Sequence, residues 1–253
     1  MSSDEEFPPT GSLLRGLTIL EIVASTADPT SVTDIAEQTR LDKGTVSRLV
    51  KQLVESGYLK RDSGRLVSLD TRVLRLTKGY EADRSLREVA REAMEHLSRK
   101  FHASVHLAVP SKYQVVYLDQ VRPRSEVQIS LIIGDHADQH VTATGRAMMF
   151  TLPVDEQMRR IRVLTSDPAS PELGFNLSEY VIARELFLRD GFTALSRADG
   201  ITRIAAPVVD VRGLPIASIG IFLATSRLNR QEVETIGREC VNECRKLSNR
   251  VGG

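Results

Sequence analysis

Residues Ser31 to Gly57, SVTDIAEQTRLDKGTVSRLVKQLVESG, restrict the fold more than any other stretch, because they read as two short helices joined by a tight turn. Ser31 and Asp34 make an S-x-x-D capping-box pattern at the start of the first helix, with Ile35 and Ala36 as apolar contacts behind it. Leu41 sits in the turn, and Asp42 is placed to cap the second helix. There Val46, Leu49, Val50, Leu53 and Val54 recur at helical spacing and make one apolar stripe. The opposite face carries Lys43, Gly44, Thr45, Ser47, Arg48, Lys51 and Gln52, which are small groups, hydroxyls, an amide and cations. A face of that chemistry can enter a DNA major groove. Thr45 and Arg48 are its base readers, Gly44 and Ser47 lie beside them, and Lys51 is a phosphate contact. Gly57 supplies the helix C-cap.

A helical hairpin with a merely solvated face has the same periodicity, so the residues after Gly57 decide between the two. Tyr58 to Arg61 has strand character, Asp62-Ser63-Gly64 is a turn, and Arg65 to Leu69 alternates again. This is a short hairpin, with Gly64 expected at positive φ. A hairpin directly after a recognition helix is a wing, and it brings Lys60, Arg61 and Arg65 towards phosphates or a minor groove. From Arg40 to Lys78 there are ten Lys/Arg against four acids, a net +6 on a chain whose overall charge is only +1. Positive charge gathered on one module marks a reader of double-stranded DNA whose remaining domain has another task.

The 253 residues, 41% hydrophobic and 26% charged, suit one large domain or two modest ones with real cores. The leader MSSDEEFPPT lacks the basic-then-apolar pattern of a signal peptide, and no apolar run suits a bilayer. Cys240 and Cys244 lie four apart in a late helix without a second pair, so they read as reduced, packed thiols of a cytoplasmic protein with no membrane partner.

The expected organisation is α+β. Residues 1–11 are a leader, 12–78 a winged helix-turn-helix domain, 79–100 a linker helix and 101–253 an antiparallel-sheet domain. The opening helix is expected to bury Leu13, Leu17, Leu20 and Ala24, and the linker helix Leu86, Val89, Ala90, Ala93 and Leu97 behind a Ser85/Glu88 capping pattern. Strands are expected at 103–109, 115–121, 127–133, 192–195, 201–209 and 215–223. Helices are expected at 142–150, 154–164 and 178–190, with a loop at 168–176 and a last helix capped by Asn229.

Three stretches, SLLRGLTIL (Ser12 to Leu20) with the winged module, GDHADQHVTATGRA (Gly134 to Ala147) and IAAPVVDVRGLPIASIGI (Ile204 to Ile221), resemble the IclR-type family of bacterial transcriptional regulators over nearly the whole chain. The resemblance implies a GAF-like effector-binding domain after the linker helix. It also implies a dimer through the DNA-binding modules, often a tetramer through the effector domains, and control of a catabolic operon by a small organic acid. It places effector contacts near Ala143, Thr144, Gly145, Asp199, Arg203, Gly220 and Phe222. The chain departs from the family pattern at Asp138, where Pro is frequent, at Arg146, where Lys is frequent, and at Arg203, where Cys is frequent. An aromatic or other small carboxylate fits these departures. Arg203 would bind it in room left by Gly220, Phe222 would form a wall, and the amides of Thr144 and Gly145 would take an oxygen. The alternative for Arg203 is a closing ion pair with Asp199.

The resulting expectation is a ligand-responsive regulator on a palindromic operator, with repression favoured because occluding polymerase suffices. Alternatives are a DNA-bound regulator that answers to a protein partner, or a small-molecule hydrolase. The chain lacks a G-x-S-x-G elbow, a phosphate loop and an H-E-x-x-H helix, so no enzyme and no cofactor are expected. Asp135, His136, Asp138 and His140 form a loose metal-like cluster that reads better as a polar loop at a pocket, and His106 reads as a partly buried hydrogen-bonding residue.

Overall fold

A computed structural model describes residues 11–26, 28–77, 82–123, 131–165, 176–224 and 228–251, without the side chains of 77, 82–85, 164 and 165. The chain divides into two compact units, Met1–Ala82 and Asp83–Gly253.

In the first unit, helices α1 (Ser12–Ser25), α2 (Val32–Thr39) and α3 (Lys43–Glu55) precede a hairpin of β1 (Leu59–Arg61) and β2 (Val67–Leu69). A 3-10 turn (Thr71–Val73) and a short helix α4 (Leu74–Thr77) come after it. The start of α2 is a complete capping box. The Asp34 amide donates to the Ser31 hydroxyl at 3.2 Å, and the Ser31 amide donates to the Asp34 carboxylate at 3.2 Å. The helix stops at Arg40, whose left-handed backbone (φ 53°) turns the chain towards Asp42. Asp42 caps α3 by accepting from the Thr45 amide at 2.8 Å.

Ile19, Val23, Ile35, Val46, Val50 and Leu59 form the core of this unit. The opening helix therefore points a different face inward from the expected one: Leu13, Leu17 and Ala24 are exposed, and Ile19 and Val23 are buried. The hairpin also departs in one detail. The Asp62 carbonyl accepts from the Arg65 amide at 3.1 Å, and the left-handed residue is Arg65 (φ 62°), with Gly64 outside the positive-φ set. The hairpin is extended on its inner side by Thr30, which exchanges two backbone hydrogen bonds with Val67 at 3.0 and 2.8 Å.

The second unit runs α5 (Ala82–Phe101), β3 (Ser104–Ser111), β4 (Gln114–Val121), β5 (His136–Asp138), a 3-10 turn (Gln139–Val141), α6 (Ala143–Met149), α7 (Val154–Thr165), α8 (Leu177–Asp190), β6 (Thr193–Ser196), β7 (Ile201–Val209), β8 (Pro215–Ala224) and α9 (Arg230–Val251). The strands make one antiparallel sheet ordered β5-β4-β3-β8-β7-β6. Most of the expected strand at 127–133 and nearly all of the expected loop at 168–176 lie outside the described residues. β5 is an edge strand that the sequence pattern does not mark.

Strand alternation divides the sheet into two faces. Val105, Leu107, Ile204, Ala206, Ile219 and Ile221 pack with Leu86, Ala90, Met94 and Leu97 of α5 and with Ile236, Cys240, Cys244 and Leu247 of α9. The helix expected as a linker thus supplies part of this unit's core. The opposite face is covered by α6, with α7 and α8 joining it around Phe150, Ile161, Tyr180 and Phe187. A bulge between Leu107 and Ala108 in the pairing with β4 changes the phase of that strand. Tyr117 lies in the core beside Met148 of α6, while Asp119 receives Arg91 of α5 at 3.1 and 3.2 Å.

Candidate functional sites

On α3 the side chains expected to read DNA stand outward. Lys43, Gly44, Ser47, Arg48 and Lys51 are exposed and Thr45 is half-buried, while Val46 and Val50 anchor the opposite face. The Arg48 guanidinium donates to the Thr45 hydroxyl at 3.3 Å, so the two residues singled out for base reading form one unit at the start of the helix. Gly44 keeps that start narrow, since a Cβ there would approach the Asp42 carboxylate to 3.1 Å. The Thr45 side-chain hydrogen bond leads the contacts that hold the Asp42 carboxyl below its ordinary value, with the Thr45 amide and nearby Arg48 adding to it. Lys51 pairs loosely with Glu55 at 3.7 Å across one helical turn, an exposed contact of little energetic weight. Lys60, Arg61 and Arg65 are exposed along the hairpin.

In the second unit the expected effector residues come together on the face under α6. β7 and β8 place Arg203 opposite Phe222 and Ala205 opposite Gly220. β3 lies against β8 on its other side, with His106 opposite Gly220 and Ser104 opposite Phe222. Thr144 reaches down from α6, its hydroxyl 3.3 Å from the Tyr117 hydroxyl. Burial pushes the Tyr117 phenol up, with Arg203 and Arg197 pulling against that rise.

Two glycines set how closely these parts approach. A Cβ on Gly145 would lie 2.3 Å from the Gln139 carbonyl oxygen, so only glycine lets α6 lie against the preceding turn. A Cβ on Gly220 would lie 2.7 Å from the Thr144 methyl and 3.0 Å from the Phe222 ring. The room at Gly220 is therefore filled by Thr144 and Phe222, and a guanidinium does not occupy it as the sequence led one to expect. The Gly145 amide is also committed, donating to the Thr142 hydroxyl at 3.0 Å as the cap of α6.

Arg203 adopts the closing alternative. It donates to Asp199 at 3.3 and 2.5 Å and to the Ile201 carbonyl at 3.1 Å, with its guanidinium carbon 5.5 Å from the Phe222 ring centre. The pairing with Arg203 leads the effects that hold the Asp199 carboxyl below its usual range. Arg197, which donates to the Val141 carbonyl, acts on the Tyr117 phenol alongside Arg203. Arg146 donates to the His140 carbonyl at 2.6 Å and lines a separate hollow with Ala183 and Leu186 of α8. Two guanidiniums near one face favour an anion there.

His106 is the residue whose role the sequence understates. It is fully buried, and neither ring nitrogen meets a hydrogen-bond partner among the described residues. The ring lies 4.5 Å from the Phe222 ring and 6.0 Å, edge-on, from Tyr117. Burial lowers its pKa to about 4, with Arg122 adding to the effect, so the imidazole is neutral near pH 7. An unpaired buried polar group costs about 1–3 kcal/mol, which makes this an exception that asks for a partner. Alternation along β3 shows its facing in the sequence, but only the neighbouring strands show its want of a partner.

The Asp135, His136, Asp138 and His140 set does not gather, because His136 sits in β5 and His140 in the 3-10 turn after it. Among the described residues, the one group of three metal-ligand atoms within 4.8 Å is His96, Glu239 and Glu243. There Lys100 and Lys246 already meet the two carboxylates at 2.9 and 2.6 Å, an ion-pair network between α5 and α9. Cys240 and Cys244 are free and buried, and burial raises the Cys244 thiol well above its ordinary pKa, as packed thiols require. No helix among the described residues is long and apolar enough to cross a membrane.

Residues 12–63 match the IclR helix-turn-helix domain, and residues 79–180 match the bacterial transcriptional regulator IclR C-terminal domain. The chain is 31% identical to the glycerol operon regulatory protein of Streptomyces coelicolor, over 87% of each chain. It is 26% identical to the p-hydroxybenzoate hydroxylase transcriptional activator of Acinetobacter baylyi, over 93% of this chain and 90% of that protein. The fold matches an IclR homologue from Microbacterium hydrocarbonoxydans crystallised with 4-hydroxybenzoate, with a TM-score of 0.74 at 22% identity over 95% of this chain and 100% of that one.

Proposed function

The chain belongs to the IclR family of bacterial transcriptional regulators, and we propose that it is a homodimeric repressor that reads a palindromic operator and responds to a small, preferably aromatic, acid. The observation that carries this reading is the pairing of two surfaces in one chain: an outward, mostly cationic and hydroxylic helix face bearing Thr45 and Arg48, and a buried sheet face bordered by Arg197 and Arg203.

Two α3 helices of about 20 Å (roughly 1.5 Å per residue) would enter successive major grooves, with half-sites about one helical turn, or a multiple of it, apart. Dimerisation has apolar surface available on α1, where Leu13 is 75% and Leu14 53% exposed, and on α4, where Leu74 and Leu76 are each 63% exposed. Ile182 and Leu188 of α8, 57% and 59% exposed, support further assembly into a tetramer through the second unit. The relative bound to 4-hydroxybenzoate and the activator named for p-hydroxybenzoate hydroxylase support the aromatic-acid class. Lys43, Gly44, Thr45, Ser47, Arg48, Lys51, Arg61 and Arg65 are assigned to DNA. Ala143, Thr144, Gly145, Asp199, Arg203, Gly220 and Phe222 are assigned to the effector region, with Gly145 and Gly220 acting through close packing.

Selection of bound fragments from a random DNA pool, followed by footprinting with and without a panel of benzoates, tests the proposal. A symmetric footprint weakened by one of the acids is expected. A single asymmetric half-site, or a footprint indifferent to every acid, would overturn it.

A further inference from the structure

We infer that the hollow beside β6, the last strand of the sheet, is a second small-molecule site, and that it takes an aliphatic monocarboxylate whose head group meets Arg146 and whose chain lies among Leu186, Leu195 and Val233. The site is separate from the effector face, and it stands whether or not the effector is an acid.

The hollow has a volume of about 340 Å³, within the roughly 300–1,000 Å³ of sites that hold small molecules. α6 brings Arg146 to it, α8 brings Leu186, β6 brings Ala194 and Leu195, and α9 brings Val233. Its wall is mostly apolar. Thr144, two residues before Arg146 on α6, turns instead to Tyr117 and Gly220. One short helix thus gives a side chain to each of two places.

Among the cations that line the hollow, Arg146 lacks a counter-charge. Its Nε donates to the His140 carbonyl at 2.6 Å, and its terminal nitrogens meet no hydrogen-bond or ion-pair partner among the described residues. Arg189, by contrast, is held by Asp190 at 2.9 and 2.7 Å, and Arg230 by Glu234 at 3.3 Å. Those four residues line the hollow as well, so its three guanidiniums and two carboxylates leave a single positive charge, that of Arg146. Burial is the first cause that holds the Arg146 guanidinium below its ordinary pKa, yet an arginine keeps its proton at any working pH. Glu179 pulls the other way, but from beyond ion-pair distance. A half-buried charge that cannot be discharged by losing a proton is relieved by a counter-ion. One excess charge selects a monoanion, because Asp190 and Glu234 repel a second negative charge such as that of a phosphate ester. A carboxylate matches the free end of the guanidinium. Leu186, Leu195 and Val233 offer no polar side-chain group to the rest of the ligand, so its complement is a hydrocarbon chain and not a hydroxylated acid.

Calorimetric titration of the full chain with acetate, butyrate, hexanoate and octanoate tests this, on wild type, Arg146→Gln, Ala194→Phe and Arg203→Ala. Wild type should bind octanoate, with affinity rising about fourfold for each methylene that the hollow buries. Arg146→Gln removes the charge and should weaken octanoate by about tenfold or more. Ala194 is exposed on β6, so Ala194→Phe fills the hollow from outside the core and should abolish binding. Arg203→Ala should bind octanoate as wild type does. Loss of octanoate in Arg203→Ala would place the acid on the effector face and overturn the inference, while the effector reading stands. Unchanged binding in either Arg146→Gln or Ala194→Phe overturns it too, as does wild type that binds no octanoate or binds it no more tightly than acetate. Should Arg146→Gln not fold, Ala194→Phe decides alone.

Discussion

Arg203 donates to Asp199 from both of its terminal nitrogens, at 3.3 and 2.5 Å, so the cation proposed to meet the effector is already held by a carboxylate of its own chain. An incoming acid must compete with that carboxylate. Asp199→Asn should therefore raise the affinity for aromatic acids several-fold, since a half-exposed pair of this kind is worth up to about 1 kcal/mol. Calorimetry on the variant checks it. Unchanged affinity would mean that Arg203 closes the fold and never meets the ligand.

Gly220 and Thr144 should behave as a coupled pair. Gly220→Ala drives a methyl to 2.7 Å from the Thr144 methyl and is expected to cost about 1–3 kcal/mol. Thr144→Ser removes the opposing methyl, so the double variant should recover part of the loss. A denaturation cycle over the four proteins measures the coupling, and strict additivity would count against the packing described.

The wing gives a stability prediction that opposes the functional one. Arg65 sits in the left-handed region at φ 62°, a conformation that disfavours any residue with a Cβ. Arg65→Gly should raise the melting temperature by a few degrees while flattening the salt dependence of DNA binding by about one phosphate contact. Gly64→Ala, at a position without positive φ, should be close to neutral, and a large loss there would contradict the turn geometry.

His106 should leave a signature in the pH dependence of stability. Its folded pKa lies near 4, below the ordinary 6.5, so between those values the unfolded chain binds the extra proton. Stability from this group is complete above 6.5 and is lost as the pH falls towards 4, by up to about 3 kcal/mol. His106→Gln should show a flatter profile through that window in thermal melts. Parallel profiles would place the imidazole in contact with water.

Arg48→Ala should cost about 1–3 kcal/mol on the operator and relax its sequence preference, whereas Lys51→Ala should weaken all sequences alike. Competition binding against random DNA at two salt concentrations separates the two effects. Equal loss on both kinds of DNA for Arg48→Ala would remove it from base reading.

The helix-turn-helix is legible in the sequence because its periodicity, its capping box and its Asp42 cap all point to one register. The opening helix is not. Its sequence LLRGLTILEIVA is apolar nearly all round, so periodicity does not say whether Leu13 and Leu17 or Ile19 and Val23 face inward. Alternation places Gly220 and Phe222 on one face, since period two comes from the strand itself, whereas Arg203 on the next strand joins them only through the register between strands, which the family resemblance implied and the pairing Arg203–Phe222 matches. What occupies the space above Gly220 depends on α6 descending from elsewhere in the chain, and no local pattern carries that. The edge strand His136–Asp138 escapes the sequence pattern for a similar reason, being three mostly polar residues paired only at the sheet rim.

The burial of Leu86, Ala90, Ala93, Met94 and Leu97 of α5 against the sheet bears on how such regulators can be recombined. A chimaera that grafts a foreign DNA-reading module onto this sensor must be spliced before Leu86. A join placed after Lys100, at the end expected for a linker helix, amputates one wall of the sensor's interior and leaves the apolar sheet face beneath it open to water.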